Sequence, residues 1–417
     1  MSRTPITLPP VLIARIFVPF ALGYFTSYLY RVINSVIAGD LTQSIGIDAE
    51  QLGLLTSAYL IAFAAAQLPL GVFLDRFGPR TVEAALLMCA AAGAWIFASA
   101  ETVTGLIIGR LLIGLGVSAC LMAAFKSIVQ WFPSDRIPLA NGILLTSGGL
   151  GILSAAAPVE WALQFTDWRG VFQILAVFTS GVALTIFLLV PERNTEVPRQ
   201  SLSAHLRAIA ALFGTRRFWH LTPLSTACQG SAIATIGLWT GPWLRDVSAM
   251  NRADVALTIT WLGASILAGF ALMGWIADQL RKWGVSTMTT GSVGMALFLL
   301  AQIGLIMQWT QWSVFLWMAY GFLSTSGMLT YAVLSQSFDS AVAGRVNTCF
   351  NAMVFVFAFA AQWGLGAVIE HYSAGETFAG YAPEGYQVGF SLLWLIQLGC
   401  LIWYLVSVRR EKELLVN

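Results

Sequence analysis

GVFLDRFGPR at residues 71–80 and GWIADQLRKWG at residues 274–284 are two versions of one sequence pattern. Each begins with a glycine, has an aspartate four residues later, and continues with basic residues and another glycine. The leading glycines and the aspartates are both 203 residues apart, close to half of the 417-residue chain. A repeat at this spacing predicts two structurally equivalent halves joined in tandem.

The sequence on either side of these two segments is strongly apolar. Hydrophobic residues make up 58% of the chain and charged residues only 10%, whereas soluble domains are about one quarter charged. This composition predicts an all-α protein that crosses a lipid bilayer many times. A net charge of +2 provides no basic surface for nucleic acid. The five cysteines lie within apolar runs, so we expect neither a metal site nor a cofactor.

Twelve apolar runs are long enough to cross a bilayer as helices, which takes about 20 residues each. Charged or Pro/Gly-rich turns separate them. The first run is too long, and too lightly charged ahead of its apolar part, for a cleaved signal peptide. We number the spans 1 to 12 in chain order, at residues 11–38, 51–73, 81–100, 103–131, 139–160, 170–191, 218–244, 254–277, 285–308, 312–336, 345–369 and 387–408.

The distribution of lysine and arginine orients these spans. If both termini face the cytoplasm, 16 of the 22 basic residues lie on the cytoplasmic side, and only Arg169, Arg245 and Arg252 lie on the other. Basic residues accumulate in the short cytoplasmic loops of membrane proteins. We therefore predict a multi-pass plasma-membrane protein, in a bacterium an inner-membrane protein, with both termini in the cytoplasm.

The longest polar segment divides the spans six and six. It extends from Glu192 to Arg217 and contains five arginines. We interpret 192–217 as a cytoplasmic linker between an N-terminal six-helix bundle at 1–191 and a C-terminal one at 218–417. No loop is long enough for a catalytic domain outside the membrane, and the sequence lacks a phosphate-binding loop motif and a zinc-binding helix motif. The sequence therefore does not predict an enzyme.

Together these features resemble the major facilitator superfamily of secondary transporters over nearly the whole chain. Residues 71–80 are similar to the signature loop that this superfamily has between helices 2 and 3. Further similar segments are RLLIGLG at 110–116, WFPSDR at 131–136, and Trp168-Arg169 with Pro191-Glu192 around span 6. The resemblance implies two pseudo-symmetric six-helix bundles, with spans 1, 4, 7 and 10 around a central cavity.

A narrower resemblance lies in span 1. YLYR at 28–31, followed by Gly46-Ile-Asp48, is similar to the anion:cation symporter branch, which moves sugar acids and other organic anions. In that branch an arginine at this position holds the substrate carboxylate, which implies the same role for Arg31. Members often carry two acids for proton coupling, at positions that here hold Tyr30 and Val117. This departure leaves the proton route open.

Three basic residues, Arg31, Arg110 and Lys126, lie inside predicted spans, and no carboxylate lies in the middle of a span to pair with them. A charge in hydrocarbon costs at least ~2.5–3.5 kcal/mol, so such residues usually face a wet cavity. Polar and aromatic residues follow helical spacing around Arg31 and along spans 7 and 10. Ordinary interhelical hydrogen bonds, and a purely structural arginine, are the alternative interpretations. The predicted substrate-binding residues are Arg31, Tyr24, Ser27, Tyr28, Asn34, Gln229, Trp239, Tyr320, Ser324 and Tyr331.

The signature loops and the other buried cations predict gating and coupling elements. Asp75 is expected near Arg345, at the start of span 11, where it would latch the outward-open state. Arg110 resembles the arginine in helix 4 of the superfamily, which implies coupling or helix packing. Lys126 is expected either to extend toward the membrane surface or to serve an inner gate. The predicted set is Gly71, Asp75, Arg76, Gly78, Arg80, Arg110, Lys126, Asp278 and Arg345.

The leading functional prediction is a monomeric secondary transporter for a small organic anion, above all a carboxylate. It would work by alternating access as a proton symporter, with sodium as the other possible coupling ion. An organic-anion exchanger and a proton-driven efflux transporter are alternatives in the same superfamily, although SGGLG at 147–151 departs from the helix 5 signature of drug antiporters. Spans 2 and 8 lack the arginines that nitrate carriers have there. A non-transporting membrane sensor or receptor is the alternative from another class.

Overall fold

The computed structural model describes residues 10–133, 136–191, 210–338, 340–373 and 380–416, and these are almost entirely helical. Most of the predicted linker, residues 192–209, lies outside this part of the chain, so the domain boundaries remain a prediction. Several of the basic residues that orient the spans are also outside it, namely Arg3, Arg193, Arg199 and Arg207.

The first half of the chain contains six spans. Span 1 is bent, because its two helices, Pro10–Val32 and Asn34–Ile45, meet at 47°. Spans 2 and 3 form one helical stretch, Ala49–Ser99, which turns at Gly78. The remaining three are span 4 (Val103–Gly116 and Cys120–Trp131), span 5 (Ile137–Ser154 and Ala157–Ala162) and span 6 (Trp168–Leu189).

The second half repeats this arrangement, with two spans broken near the middle. Span 7 consists of Arg216–Leu221, Pro223–Ala234, a π-helical turn at Thr235–Trp239, and Thr240–Asp246. Span 10 follows a short 3₁₀ turn and consists of Ser313–Ser324, a 3₁₀ turn at Thr325–Met328, and Leu329–Ser337. The continuous helices are span 8 (Arg252–Lys282), span 9 (Thr287–Ile306), span 11 (Ser340–Ser373) and span 12 (Pro383–Val416).

The number of membrane crossings agrees with the sequence. Eight helices are individually long and apolar enough to cross a membrane, and the bent pair of span 1 makes a ninth. The helix Ala49–Ser99 has 51 residues, about twice what one crossing needs, and contains two spans. Spans 7 and 10 are built from pieces that are each too short to be counted alone. Within the described residues this gives twelve spans, which confirms the prediction of an all-α membrane protein.

Local sequence explains where several spans begin and turn. The side chain of Asp48 accepts a hydrogen bond from the N–H of Gln51 at 2.7 Å and so caps span 2. Thr102, Asp167, Asn251 and Ser286 cap spans 4, 6, 8 and 9 in the same way. Gly78 and Gly284, the final glycines of the repeated pattern, have φ angles of 75° and 84°. Glycine adopts this left-handed region without the strain that a side chain adds, so the pattern fixes both turns.

Small residues allow the two halves to approach each other closely. A Cβ atom on Gly53 of span 2 would lie 3.0 Å from the carbonyl oxygen of Gln362 in span 11. On the opposite side of the interface, a Cβ atom on Gly263 of span 8 would lie 2.9 Å from Ile152 of span 5. The halves therefore pack through spans 2 and 11 and through spans 5 and 8, as small residues allow in membrane helices.

Candidate functional site

Arg31 lies in span 1, two residues before the bend, among aromatic rings from both halves. Its Cζ is 4.4 Å from the ring centroid of Tyr28, 5.0 Å from that of Phe355 and 5.5 Å from that of Phe63. Phe63 of span 2 and Phe355 of span 11 also stack on each other, with centroids 4.2 Å apart. The guanidinium of Arg31 is therefore located where the first half meets the second.

The charge of Arg31 is not neutralised by a carboxylate. No ion pair involves it among the described residues, and its buried Nε has no hydrogen-bond partner there. Asp40, nine residues after Arg31 in span 1, forms an ion pair with Arg252 at 2.7 Å. Cation–π contacts contribute ~0.5–2 kcal/mol each, which offsets only part of the cost of an intramembrane charge. Arg31 thus remains a site of positive potential that attracts an anion.

Three tyrosines from spans 1 and 10 surround this arginine. Tyr24 and Tyr28 of span 1 pack edge to face with centroids 5.1 Å apart. Tyr331 of span 10 lies within electrostatic range of Arg31 and Tyr24, and its hydroxyl donates to Oδ1 of Asn351 in span 11 at 2.8 Å. The structure therefore brings the predicted residues Tyr24, Tyr28 and Tyr331 together with Arg31. Their hydroxyls supply hydrogen-bonding groups around the guanidinium.

Two further predicted residues of span 1 connect it to span 2. The carbonyl of Ser27 accepts a hydrogen bond from the Tyr59 hydroxyl at 3.2 Å. Asn34 donates from Nδ2 to Oγ1 of Thr56 at 2.9 Å, while its buried Oδ1 has no partner among the described residues. Both therefore hold span 1 in place within the first half, and Asn34 keeps one hydrogen-bond acceptor available.

The remaining predicted substrate residues, in spans 7 and 10, make hydrogen bonds within the second half. The donor–acceptor pairs are Trp239 Nε1 with the Gln362 carbonyl (3.0 Å), Tyr320 Oη with the Ser231 carbonyl (3.4 Å), Gln229 Nε2 with Ser225 Oγ (2.9 Å) and Ser324 Oγ with the Gly321 carbonyl (2.7 Å). Trp239 and Tyr320 are fully buried. Trp239 is the last residue of the π-turn of span 7, and Ser324 immediately precedes the 3₁₀ turn of span 10.

Arg110 and Lys126, both in span 4, contact different parts of the first half. Arg110 is buried, donates to the Tyr30 carbonyl at 3.1 Å, and covers the ring of Tyr59 at 5.0 Å. Lys126 forms an ion pair of 2.6 Å with Asp75. Arg110 therefore packs spans 1, 2 and 4 together, whereas Lys126 fixes the loop after span 2.

The first signature loop is bound to neighbouring spans of its own half. Asp75 forms an ion pair with Lys126 in this structure, and its approach to Arg345 in the outward-open state stays a prediction. Arg80 donates from Nε to the Phe187 carbonyl of span 6 at 2.8 Å and covers its ring at 4.8 Å. The loop is thereby attached to spans 4 and 6.

The other predicted loop residues have local contacts. Arg76 lies over the ring of Phe77 at 5.0 Å, and Gly71 precedes it in the same helix. In the second loop, Asp278 approaches Arg281 of its own helix at 3.4 Å, and both side chains are largely exposed. We refer to the end of the molecule that contains Asp75 and Asp278 as the Asp75 end.

At the opposite end, named here the Arg252 end, one arginine connects the two halves. Arg252 at the start of span 8 donates to both carboxylate oxygens of Asp40 in span 1, at 2.9 and 2.7 Å. Its Nε donates to Glu160 of span 5 at 2.8 Å. A guanidinium that binds two acids from the other half holds this end of the interface closed.

Two hydrogen bonds from backbone N–H groups reinforce this closure. Ser35 Oγ in span 1 accepts from the N–H of Gly241 in span 7 at 3.0 Å. Glu370 of span 11 accepts from the N–H of Ala49, the first residue of span 2, at 3.0 Å. Glu160 and Glu370, which occupy comparable places in the two halves, thus both bind across the interface at the Arg252 end.

Three features of this region were missed from sequence. Phe63 and Phe355 gave no signal, because phenylalanine in a span usually faces lipid. Glu83 lies close to the start of span 3, as the sequence indicated, but its full burial was not foreseen. Its position in a helix that follows a signature loop was the available signal.

Comparison with known proteins identifies the family. Residues 20–362, which are most of the chain, match the model described as Major Facilitator Superfamily. The chain belongs to this superfamily. A bacterial homolog of the human lysosomal transporter Spinster, solved in an inward-facing and occupied conformation, superposes with a TM-score of 0.78. It covers 97% of this chain and 98% of its own at 16% identity, which shows a shared fold.

Among superfamily members of known sequence, two similar relatives are described as anion transporters. The "Probable sulfoacetate transporter SauU" of Cupriavidus necator is 26% identical over 277 residues, which are 63% of this chain and 64% of that protein. The "Hexuronate transporter" of Escherichia coli K12 is 24% identical over 301 residues, 68% of this chain and 69% of that protein. The chain thus spans less than two thirds of the first of these relatives. Both relatives are membrane transporters rather than enzymes.

Proposed function

We propose that this superfamily member is a secondary transporter of a small organic anion and that it works by alternating access. The observation that carries the proposal is the environment of Arg31: an intramembrane guanidinium, paired with no carboxylate among the described residues, at the boundary between the halves. A guanidinium binds a carboxylate through two parallel hydrogen bonds. The printed names of the sulfoacetate and hexuronate transporters support an acidic substrate.

The alternating-access part of the proposal is supported by the difference between the two ends. Contacts across the halves are formed at the Arg252 end, and the ion pairs of Asp75 and Asp278 at the other end stay within one half. Such an arrangement suits a carrier that closes one end while the other is accessible. In this proposal the Asp75 end faces the cytoplasm, since the predicted cytoplasmic loops hold most basic residues.

Orientation has a direct test. A reporter that is active only in the cytoplasm, fused after Asn417 or inserted near Gln200, should be active in intact cells. The same reporter inserted after Glu101, in the loop between spans 3 and 4, should be inactive, and this insertion is the control. Activity of the Glu101 fusion together with silence of the other two would reverse the orientation.

The substrate proposal is tested on the purified protein with Arg31 variants. Glucuronate, a hexuronate, is the first probe, in a thermal-shift panel of carboxylates, phosphates and amines. Arg31→Gln should weaken binding of the responding anion by about 10- to 150-fold, because charge-assisted hydrogen bonds contribute roughly 1.5–3 kcal/mol. Arg31→Lys should lose much of the affinity as well, since an ammonium lacks the planar fork of a guanidinium.

Arg217→Gln is the matched control, because this arginine is exposed in the first short helix of span 7 and the substitution removes the same charge. It should bind the anion with parental affinity. Unchanged affinity of folded Arg31→Gln for the anion would contradict the proposal that the substrate is an anion. If that variant transported a cation or a neutral solute as well as the parent does, that solute would be the substrate instead. Flux of the anion into proteoliposomes distinguishes a transporter from a non-transporting sensor, which would bind without moving it.

The position equivalent to Arg31 in the second half narrows the substrate further. The residue 203 positions later is Ala234, so the repeat does not supply a second arginine. One guanidinium balances one negative charge, which favours a monoanion over a phosphate dianion. Entry of a monoanion into a negative-inside cell is opposed by ~2.3 kcal/mol per 100 mV. Import therefore requires a coupled cation or an exchanged anion.

A further inference from the structure

Glu83 of span 3 is a carboxylic acid to which none of the contacts described above assigns a role. Its side chain is 0% exposed, and among the described residues its two carboxylate oxygens have no hydrogen-bond partner other than the weakly donating Cys120 thiol. Native proteins rarely leave both oxygens of a buried carboxylate unpaired, because an ionised group there is strongly disfavoured. The surroundings of Glu83 therefore suit the neutral, protonated acid.

The carboxyl of Glu83 occupies a space between spans 1 and 4. A Cβ atom on Gly23 of span 1 would overlap Oε1 of Glu83, so the glycine leaves the space that the carboxyl occupies. The Cys120 thiol of span 4 lies beside the carboxyl and within electrostatic range of both Glu83 and Arg31. The acid thus enters the contact between spans 1 and 4 from span 3.

Few other ionisable groups face this position. Span 6, which also packs against span 3, has no ionisable side chain between residues 170 and 189. Arg31 is an intramembrane cation that shares one neighbour with Glu83, the Cys120 thiol. The other ionisable groups on the surrounding helices have their own contacts: Cys89 with the Leu112 carbonyl, Tyr24 with Tyr28, Arg110 with the Tyr30 carbonyl, and Lys126 with Asp75.

Span 3 begins beside a polar cavity at the Asp75 end. A polar cavity of about 330 Å³ at the Asp75 end is lined by Thr81 of span 3 and Ser127 of span 4. Thr81 lies two residues before Glu83, and the hydroxyl of Ser127 is buried without a partner among the described residues. Cys120 and Ser127 are seven residues apart and so share one face of span 4. The cavity therefore borders the start of the helix that carries Glu83.

We propose that Glu83 carries the coupling proton, an inference that rests on the transport function proposed above. The ionised carboxylate takes up one proton while the Arg252 end is accessible, and the protonated acid releases it after the Asp75 end becomes accessible. Anion binding at Arg31 cancels the positive charge that favours ionised Glu83, so anion binding and protonation support each other. One monoanion and one proton cross together, and the cycle moves no net charge.

The closing experiment compares Glu83→Gln with Glu101→Gln, which is the same substitution at an exposed position just beyond the other end of span 3. The infrared spectrum of the purified parent should contain the carbonyl band of a buried protonated carboxyl. Glu101→Gln should keep this band and Glu83→Gln should lose it. A band that persists in Glu83→Gln, or is missing from the parent, overturns the inference whatever the substrate is.

Flux into proteoliposomes, with the anion that binds the parent, tests the coupling itself. A pH gradient of one unit should drive about tenfold accumulation by the parent and by Glu101→Gln, because one proton per anion transmits the whole gradient. Glu83→Gln should lose this accumulation but keep anion exchange. Glu83→Asp, which retains a carboxyl, should restore it, and this variant also covers the case in which Glu83→Gln does not fold.

The two proposals fail in different ways. Gradient-driven accumulation that is unchanged in Glu83→Gln would overturn the role of Glu83 and leave the transport proposal intact. Accumulation by the parent that follows the membrane potential rather than the pH gradient would also overturn it. If no anion binds the parent, or binding persists in Arg31→Gln, the transport proposal fails, and the infrared band still decides whether Glu83 is protonated.

Discussion

The Arg252 end and the Asp75 end use the same kinds of residues in opposite ways. At the Arg252 end, Arg252 of the second half binds Asp40 and Glu160 of the first half. At the Asp75 end, Asp75 pairs with Lys126 within the first half, and Asp278 approaches Arg281 within the second. Charges that cross the interface stabilise one conformation, whereas charges within a half move with it. The difference indicates which contacts must break when the protein changes state.

The glycines at the Arg252 end and at the Asp75 end also differ in what they contact. Gly241 and Ser35 meet so closely at the Arg252 end that a side chain on the glycine would overlap the Ser35 carbonyl. Gly78 and Gly284 at the Asp75 end serve their own turns, and a Cβ atom there would meet nothing within 4 Å. Glycine is thus required for contact between the halves at one end and for local conformation at the other.

The largest expected effect comes from blocking closure of the Arg252 end with Gly241→Leu. Overpacking typically costs 1–3 kcal/mol, so the closed population should fall by about 5- to 150-fold relative to the open one. Spin labels at the exposed positions Gln43 and Ala253, one in each half, should move apart. Gly399→Leu, in an open environment of span 12, should leave the distance unchanged. An unchanged distance in Gly241→Leu would mean that this contact does not limit closure.

A smaller shift is expected from Arg252→Gln, measured with the same labels. The substitution leaves Asp40 and Glu160 without their shared cation, but half of the Arg252 side chain is exposed and therefore screened. We expect the closed population to fall by about 2- to 10-fold at low ionic strength, with a weaker effect in high salt. Arg252→Lys should retain part of the closure. A salt-independent effect would exclude an electrostatic cause.

A still smaller effect is expected from Asp75→Asn at the Asp75 end. Asp75→Asn should slow transport a few-fold and leave equilibrium binding of the anion within several-fold of the parent, because the residue affects conformation rather than the site. Its pair with Lys126 is half exposed, and such pairs contribute roughly 0.2–1 kcal/mol. A cycle with Lys126→Met measures this coupling. Complete loss of binding in folded Asp75→Asn would contradict a purely conformational role.

The smallest effect is expected for Asp278→Asn. The side chains of Asp278 and Arg281 are largely exposed, and their nearest charged atoms are 3.4 Å apart, so their ion pair is weak. We expect transport to change by less than about twofold. Comparison with Asp75→Asn tests whether the repeated pattern is functionally asymmetric. Equal slowing in both variants would show that the two loops act alike despite their different contacts.

The fold was predictable to a large extent, because span number depends on summed apolarity and on a repeat, and both are local properties of the sequence. The 203-residue repeat and the glycines at 78 and 284 identified the halves and their turns. Arg31 was predictable for the same reason, as a charge within an apolar run. Its tyrosine neighbours on span 1 follow from helical spacing alone.

Features that depend on which faces of distant helices meet were not predictable. Phe63 and Phe355 are 292 positions apart in sequence, and only the packing of spans 2 and 11 brings their rings to Arg31. Glu83 resembles a solvated residue near a helix start until spans 1 and 4 cover it. The partners of Arg252 and Asp75 depend on conformational state, which a single sequence does not specify.

The bend in span 1 gives this helix the mechanics of a lever. Its outer arm, Asn34–Ile45, is about 18 Å long at 1.5 Å per residue. A rotation of ten degrees at the bend therefore displaces the far end by roughly 3 Å, which is enough to separate an ion pair. Arg31 is next to the fulcrum, where the same rotation produces almost no displacement. A small torque at the binding site is thereby converted into a displacement that grows along the outer arm, which carries Asp40.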